Sequence, residues 1–167
     1  METDRLRLGC WRTEDCEAFR PIATDPRVVQ YINTGAPWDD EQIREFVTRQ
    51  MDHYEQHGYC MWRLIDKDSG ELAGFCGLQP LALEGRPEVE IGWWLAVKYW
   101  GRGLAAEAAV CALQFGFEQA RLPRIIAIAQ PANRQSLRVM EKIGLTYERD
   151  AVHKGIRVVV YAKACGA

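Results

Sequence analysis

Alternation of hydrophobic and polar positions predicts seven β-strands along the chain. In the first of them, Leu6 and Leu8 alternate with Arg5 and Arg7, as expected for a strand with one buried face. The stretch 125–129 is wholly apolar, which is typical of a strand buried on both faces. The predicted strands cover residues 5–10, 59–65, 71–78, 89–95, 125–129, 145–151 and 156–164.

Spacings of three and four residues between apolar positions predict four helices. The first, residues 13–23, is closed by the Asp-Pro pair at 25–26, because the residue before a proline disfavours helical geometry. The second runs from an aspartate cap at 39 or 40 to about residue 57. The other two cover residues 104–119 and 133–143. The order β-α-α-β-β-β-α-β-α-β-β indicates a mixed α+β fold with one central sheet.

Length and composition indicate a single cytoplasmic domain. The 167 residues contain no repeat, low-complexity tract or flexible linker, so residues 1–167 are interpreted as one domain. With 21 basic and 23 acidic side chains the net charge is −2, which argues against a nucleic-acid-binding protein. No apolar stretch approaches the ~20 residues of a membrane span, and no signal-peptide core is visible. The six cysteines form no CxxC pair, which is typical of the reducing cytoplasm.

The densest chemical signal is a glycine turn, WGRGLA at residues 100–105, between an apolar strand and an alanine-rich helix. Glycines allow a tight turn and a close approach of a ligand to the backbone. The first amides of the following helix have no intrahelical partner and, together with the helix dipole, favour a phosphate. A strand-to-helix turn without any ligand fits the spacing equally well.

Two other phosphate-binding motifs fit this turn less well. Residues 101–106 match G-x-G-x-x-A, but the dinucleotide-binding motif requires an acidic residue about 20 positions later, at the end of the next strand. Here that strand ends in Ala-Ile-Ala-Gln at 127–130, and too little chain remains for a doubly wound sheet. A P-loop is excluded because no Gly-Lys-Ser/Thr follows the turn.

The turn resembles the Q/R-x-x-G-x-G/A motif of the GNAT N-acetyltransferases. Residues 99–108, YWGRGLAAEA, are closer still to the branch that contains the ribosomal-protein N-terminal (Rim-type) acetyltransferases. Further similarities extend in the same order over nearly the whole chain. They are TDRLRL at 3–8, EIGWWL at 90–95, NRQS at 133–136 and EKIGL at 141–145. The chain is therefore identified as a member of this family, with tryptophan at position 100 in place of the usual glutamine or arginine.

The resemblance implies a GNAT fold that binds acetyl-CoA as cosubstrate. In this fold a mixed, mostly antiparallel sheet, flanked by helices, splays apart between two parallel strands, here 89–95 and 125–129. The resemblance implies that pantetheine lies in the gap along the backbone of Leu95, Ala96 and Val97. It also implies that the pyrophosphate lies on backbone amides of the turn, namely those of Gly101, Arg102, Gly103, Leu104 and Ala105. No metal is implied.

Glu90 occupies the strand position where family members often carry a general base that acts through water. It shares a strand face with Trp94, and aromatic surroundings are expected to raise its pKa toward a useful range. Glu88 lies on the same face and is an equally available rival. The alternative explanation for either residue is a solvated carboxylate paired with a basic neighbour.

The helix at 133–143 carries the remaining site residues that the resemblance implies. Asn133 is expected to bond the pantetheine chain, to cap the helix, or both. Many family members place a tyrosine seven residues later to protonate the leaving thiolate, but Met140 stands there and has no proton to donate. Ser136 matches the serine suggested for this role in the Rim-type branch, and helix-terminal polarity is its alternative explanation. A thiol of pKa ~8.5 leaves readily, so the contribution of an acid is expected to be small.

The acceptor is expected to be an amine, either the α-amine of a protein N-terminus or that of a small molecule. A non-catalytic CoA-binding module is the rival hypothesis from another class. Residues 30–40 and the last hairpin are expected to select the acceptor. A homodimer is compatible with this branch. His53 and His57 lie four residues apart on a helix but lack the glutamate of H-E-x-x-H, so they are expected to be solvated.

Overall fold

A seven-stranded sheet, in the order β1-β2-β3-β4-β5-β7-β6, forms the centre of the computed structural model, which describes residues 1–166. The strands are β1 (Leu6–Gly9), β2 (Met61–Asp66), β3 (Leu72–Leu83), β4 (Arg86–Leu95), β5 (Arg124–Ala129), β6 (Thr146–His153) and β7 (Ile156–Ala164). The helices are α1 (Asp15–Ala23), α2 (Pro26–Val29), α3 (Asp40–His57), α4 (Leu104–Glu118) and α5 (Arg134–Lys142), with a 3₁₀ turn at Val97–Tyr99. The predicted mixed fold is confirmed.

β4 and β5 form the one parallel pair among the described strands, and they are in register at a single position, Glu90 with Ile126. All other neighbouring strands in residues 1–166 run antiparallel. Beyond Glu90, β4 continues to Leu95 alongside β3 alone, so a gap separates it from β5. The mostly antiparallel sheet that splays between two parallel strands is therefore confirmed.

Helices cover both faces of the sheet. α4 lies close against one face because its buried positions are small, among them Ala108 and Ala112. A Cβ added at Gly116 would lie only 2.6 Å from Ile125 Cδ1 and 2.9 Å from Leu78 Cδ1, so a larger residue would displace these side chains. On the opposite face, α1 and α3 enclose a cluster of aromatic rings from Trp11, Phe19, Trp38, Phe46, Phe75 and Trp94. None of the helices in residues 1–166 combines the length and apolar character needed to cross a bilayer.

Two local features differ from the prediction. α1 ends at Ala23, before the Asp-Pro pair, as predicted, but this pair also begins the short helix α2, which was not predicted, because the Asp25 carboxylate accepts from the Arg27 N–H at 2.9 Å. Pro26 takes the first position of α2, where its missing N–H leaves no bond unmade. β3 and β4 are longer than predicted, since the turn between them consists of Glu84 and Gly85 alone. Sequence patterns missed this extension because a proline at 87 reads as a turn residue.

Candidate active site

The glycine turn bends the chain between β4 and α4 through two left-handed glycines. Gly101 has a φ of 71° and Gly103 a φ of 78°, a region that other residues rarely adopt. Gly103 is the N-cap of α4 and supplies no side-chain hydrogen bond to its first amides. These N–H groups lie at the positive end of a 15-residue helix, an arrangement that binds phosphate oxygens.

A hydrogen-bonded group formed by Thr3, Arg5 and Glu107, called here the Arg5 bracket, connects this turn to the N-terminal segment. Arg5 Nη1 donates to the carbonyl of Arg102 at 2.9 Å, and Arg5 Nε donates to Glu107 Oε2 at 2.7 Å. Glu107 also accepts from the Thr3 hydroxyl at 2.5 Å and from the Arg5 N–H at 3.0 Å. Burial acts to raise the pKa of Glu107, but the bonds from Thr3 and Arg5 hold it below its usual value. The ionised carboxylate therefore fixes the Arg5 guanidinium beside the turn.

Two cations flank the turn. A Cβ added at Gly103 would lie 3.8 Å from Arg5 Nη2 and 3.9 Å from Lys142 Nζ. Among residues 1–166, Arg5 is paired with Glu107, whereas no carboxylate lies within 4.0 Å of Lys142. Bare amides, a helix N-terminus and two adjacent cations fit the diphosphate of coenzyme A. Sequence reasoning missed both cations, although each lies in a segment that carries the family resemblance.

The gap between β4 and β5 exposes backbone groups of β4. Ala96 N–H donates at 2.9 Å to a carbonyl of β3. Because N–H directions alternate along a strand, those of Trp93 and Leu95 point into the gap. The Leu95 carbonyl accepts from the Trp100 indole at 2.8 Å, so this unusual tryptophan fastens the end of β4 to the glycine turn. Of the three positions predicted for pantetheine, Leu95 faces the gap, Ala96 bonds to β3 and Val97 begins the 3₁₀ turn.

Glu90 lies where β4 and β5 part, in a cavity of about 200 Å³ that includes residues of both strands beyond that point. Gln79 on β3 donates from Nε2 to Glu90 Oε2 at 2.8 Å. Burial raises the pKa of Glu90 to about 6, against smaller opposing effects of the Gln79 hydrogen bond and the Lys154 charge. A carboxylate with this pKa is mostly ionised at pH 7 and is well suited to accept a proton.

Glu88, the rival carboxylate, has a different partner. Its Oε2 lies 3.2 Å from Arg124 Nε, and Arg124 Nη1 lies 2.7 Å from Glu148 Oε2. Glu88 is thus held in an ion-pair network across the sheet, while Glu90 faces the cavity with a neutral amide as its hydrogen-bond partner. The structure distinguishes two carboxylates that the sequence left equivalent.

The N-terminus of α5 carries Asn133 and Ser136. Asn133 Oδ1 accepts from the Ser136 N–H at 3.2 Å, so Asn133 is the N-cap of α5. No acceptor for its side-chain N–H groups occurs within residues 1–166. Met140 is 2% exposed and packs in the core. In the described part of the chain, neither Asn133 nor Ser136 lines the cavity that contains Glu90.

The loop between α2 and α3 forms one wall of this cavity. Gln130, just after β5, donates from Nε2 to the Tyr31 carbonyl at 3.0 Å and to the Asn33 carbonyl at 3.4 Å. Later in the loop, the Trp38 ring lies 4.7 Å from the Trp94 ring, centroid to centroid. Gln130 therefore ties an aromatic loop to the end of the splayed strand.

α3 and the β6–β7 hairpin supply the other walls. Arg49 reaches the cavity from α3, and His153 and Lys154 reach it from the hairpin. The segments expected to select the acceptor, residues 30–40 and the last hairpin, therefore do meet beside Glu90. Arg49 was missed by sequence reasoning, although its place three residues after the buried Phe46 puts it at the edge of the inward face of α3.

The histidine pair on α3 lies apart from these groups. The ring centroids of His53 and His57 are 6.0 Å apart, and His57 stacks on Tyr59 at 5.6 Å. Burial lowers the pKa of His53, which is therefore neutral at pH 7. Within residues 1–166, no group of three or more histidine, cysteine or acidic side chains could hold a metal ion.

Comparison with known proteins defines the family. The acetyltransferase (GNAT) domain matches residues 5–146. The uncharacterised protein YkkB of Bacillus subtilis is 34% identical over 98% of this chain and 94% of its own length. A solved GNAT-family acetyltransferase from Bacillus anthracis is 31% identical, with a TM-score of 0.84 over 100% of this chain and 99% of its own. The chain belongs to the GNAT acetyltransferase family, as the glycine turn and its companion motifs predicted.

A further solved relative shows this fold with coenzyme A. A ribosomal α-N-protein acetyltransferase in complex with coenzyme A has a TM-score of 0.78 at 18% identity, over 97% of this chain and 95% of its own. At this identity the similarity concerns the fold alone. The family assignment establishes that the protein is an enzyme that transfers an acetyl group to an amine.

Proposed function

We propose that this enzyme transfers the acetyl group of acetyl-CoA to the α-amine of a peptide or protein N-terminus by direct attack, with Glu90 as general base. The observation that carries the proposal is the position of Glu90 at the parting of β4 and β5, in a cavity continuous with the gap. When bound, acetyl-CoA supplies an activated acetyl thioester. The protein holds this donor and removes a proton from the acceptor.

The groups around the glycine turn are proposed to hold the cosubstrate. Amides of residues 101–105 and the cations Arg5 and Lys142 bind the phosphates. The Leu95 backbone pairs with pantetheine like an added strand, and Asn133 donates to the same chain from its amide nitrogen. Because the amides that bind the phosphates are backbone groups, this binding is compatible with tryptophan at position 100.

The pKa of Glu90 fits an α-amine acceptor. An α-amine of pKa ~8 is roughly one-tenth neutral at pH 7, whereas a lysine-like amine of pKa ~10.4 is neutral in less than about one molecule in a thousand. With a pKa of about 6, Glu90 is ionised at pH 7 and accepts the proton that the nitrogen loses. A C–N bond forms, the C–S bond breaks, and the sulfur departs as a thiolate that takes a proton through the Ser136 hydroxyl, which regains one from water.

Replacement of Glu90 by glutamine tests the base. Glu90→Gln is expected to lower kcat/KM by about 100-fold or more. It is also expected to abolish the decline of the rate below pH 6, since no carboxylate remains to be protonated. Coenzyme A affinity, measured by calorimetry, stays unchanged. Glu88→Gln, the same change on the same strand, is the matched control and keeps the wild-type rate. A Glu90→Gln enzyme with normal kcat and pH profile would contradict the assignment.

Replacement of Ser136 by alanine tests the acid. Because a thiolate leaves readily without help, Ser136→Ala is expected to lower kcat only about 5-fold, with the KM for acetyl-CoA unchanged. Asn133→Ala provides the contrast, since loss of the cap destabilises the fold by about 1 kcal/mol in thermal unfolding. Normal turnover by Ser136→Ala would exclude a catalytic role for the hydroxyl.

A free small-molecule α-amine is the second candidate acceptor, and the size of the cavity favours it. The volume of about 200 Å³ lies below the ~300–1,000 Å³ of pockets for drug-sized ligands. Thiol release measured with free amino acids and with short peptides distinguishes the two candidates. Faster turnover of peptides supports the protein N-terminus, and faster turnover of amino acids supports the small molecule.

A further inference from the structure

The ionisable side chains of the Glu90 cavity are unevenly distributed by charge. Among the described residues that line it, Glu90 is the only carboxylate. Two permanent cations on solvent-exposed residues also line the cavity, Arg49 from α3 and Lys154 from the turn between β6 and β7. His153 also lines the cavity, and burial lowers its pKa, so it adds little charge at pH 7. An acceptor therefore meets more positive than negative charge.

Neither cation forms an ion pair within the described residues. No carboxylate of residues 1–166 lies within 4.0 Å of the side-chain nitrogens of Arg49 or Lys154. Burial acts to lower the pKa of Arg49, and Glu45 one turn earlier on α3 only opposes this effect from a distance. Unlike Arg5 and Arg124, which are bound by acids, these two cations remain available to a ligand.

The same cavity has an aromatic wall. The Trp38 and Trp94 rings lie 4.7 Å apart, and the Arg49 guanidinium lies 5.7 Å from the centre of the Phe46 ring. Such a wall suits an apolar body. Polyamines lack a partner here, because each of their cations beyond the reacting nitrogen needs a further acid.

We propose that the acceptor is an α-amine that carries a carboxylate, with the amine at Glu90, the carboxylate between Arg49 and Lys154, and an apolar side chain against Trp38 and Trp94. This inference rests on the proposed function and narrows its acceptor class. The carboxylate belongs either to a free amino acid or to an acidic residue next to a peptide N-terminus. Both sources present the same chemistry, and the experiment distinguishes them.

Matched acceptors test the charge preference. L-phenylalanine and its carboxamide differ only in the carboxylate, and a Phe-Asp and a Phe-Asn dipeptide amide form the corresponding peptide pair. Thiol release is expected to give a kcat/KM at least about 10-fold higher for the acidic member of one pair, and that pair identifies the source. The carboxamide has the more easily deprotonated amine, so its basicity does not explain a preference for the acid. Spermidine is expected to be a poor acceptor.

Variants of the two cations show whether they cause the preference. Arg49→Gln and Lys154→Gln are each expected to reduce the acid-to-amide ratio about 10-fold, chiefly through a higher KM for the acid. Arg44→Gln, on the same helix but outside the cavity, is the matched control and keeps the ratio. Coenzyme A binding by calorimetry verifies that each variant is folded.

The possible outcomes distinguish failure of this acceptor assignment from failure of the proposed acetyl transfer. A preference for spermidine or for the amide members overturns the inference alone, as does an unchanged ratio in both cavity variants. No thiol release with any amine overturns the proposed function itself. Loss of the preference as ionic strength rises supports the inference, because salt screens partly exposed charges.

Discussion

The two sides proposed for this active site, one for the cosubstrate and one for the acceptor, differ in the kind of groups that form them. The proposed cosubstrate side centres on one stretch, residues 100–107, whose backbone amides and two left-handed glycines form the proposed phosphate site. The acceptor side is assembled from side chains far apart in the sequence, including Arg49, Glu90, Gln130 and Lys154. One side depends on local conformation and the other on the tertiary fold.

This difference indicates how the two sides tolerate change. Side chains at the turn are expected to vary more freely, because the N–H groups proposed to face a phosphate are common to all residues except proline. On the acceptor side each contact belongs to a particular side chain, so one substitution changes what is bound. Within one family, therefore, the shared cosubstrate is compatible with many acceptors.

The largest effect is expected from a side chain placed in the glycine turn, which tests whether cosubstrate binding depends on the conformation of the turn. Gly103→Val is expected to weaken coenzyme A binding by about 100-fold or more, measured by calorimetry. A branched residue is strained at a φ of 78°, by about 1–2 kcal/mol, and it displaces the adjacent amides. Its Cβ would also enter the space beside Arg5 and Lys142.

Gly85→Val is the matched control for this strain. Gly85 has a φ of 77° in the β3–β4 turn, and a Cβ there would meet no atom within 4 Å. The control is expected to lose a similar amount of stability and to keep its affinity. Normal coenzyme A affinity in Gly103→Val would show that the turn is not the diphosphate site.

A substitution in the Arg5 bracket is expected to have a smaller effect on coenzyme A affinity than Gly103→Val. Arg5→Gln removes a cation beside the turn and the bond to the Arg102 carbonyl, so the affinity for coenzyme A is expected to fall about 10-fold. Arg7→Gln, two residues later and exposed, is the control. Equal affinities for the two variants would mean that the turn holds its shape without the bracket.

Local patterns accounted for most of the fold. Strand alternation and the helix-ending glycines at 58 and 144 act within a few residues, so they are readable without tertiary information. The short helix α2 was missed because an Asp-Pro pair serves equally well as a helix end or a helix start. The motifs on the glycine turn and β4 identified the family because each of them also lies within a few consecutive residues.

Tertiary contacts account for what sequence patterns left undecided. Glu88 and Glu90 have the same strand face and similar neighbours in sequence, and only the position of Arg124 on β5 distinguishes them. Arg49 reads as an ordinary surface residue of an amphipathic helix until the β6–β7 hairpin closes the cavity opposite it. These assignments depend on which segments meet, which spacing along the chain does not encode.

A third test concerns the acceptor side and measures how Glu90 affects the stability of the fold at different pH values. Because burial raises its pKa from 4.5 to about 6, the folded protein binds this proton more tightly than the unfolded chain does. The resulting stability is fully present below pH 4.5 and is lost as the pH rises through 6. Glu90→Gln is therefore expected to raise the free energy of unfolding by about 2 kcal/mol at pH 7.5 and to leave it unchanged at pH 4.

Glu88→Gln gives the opposite sign on the same strand. It deprives Arg124 of one carboxylate, and the free energy of unfolding at pH 7.5 is expected to fall by up to about 1 kcal/mol. Urea denaturation of both variants at the two pH values measures the contrast. Stabilisation by Glu90→Gln means that the native carboxylate is kept at a cost to the fold, as expected for a functional group. If both variants lose stability at pH 7.5, Glu90 is a structural residue like Glu88, and the acceptor side has no base at that position.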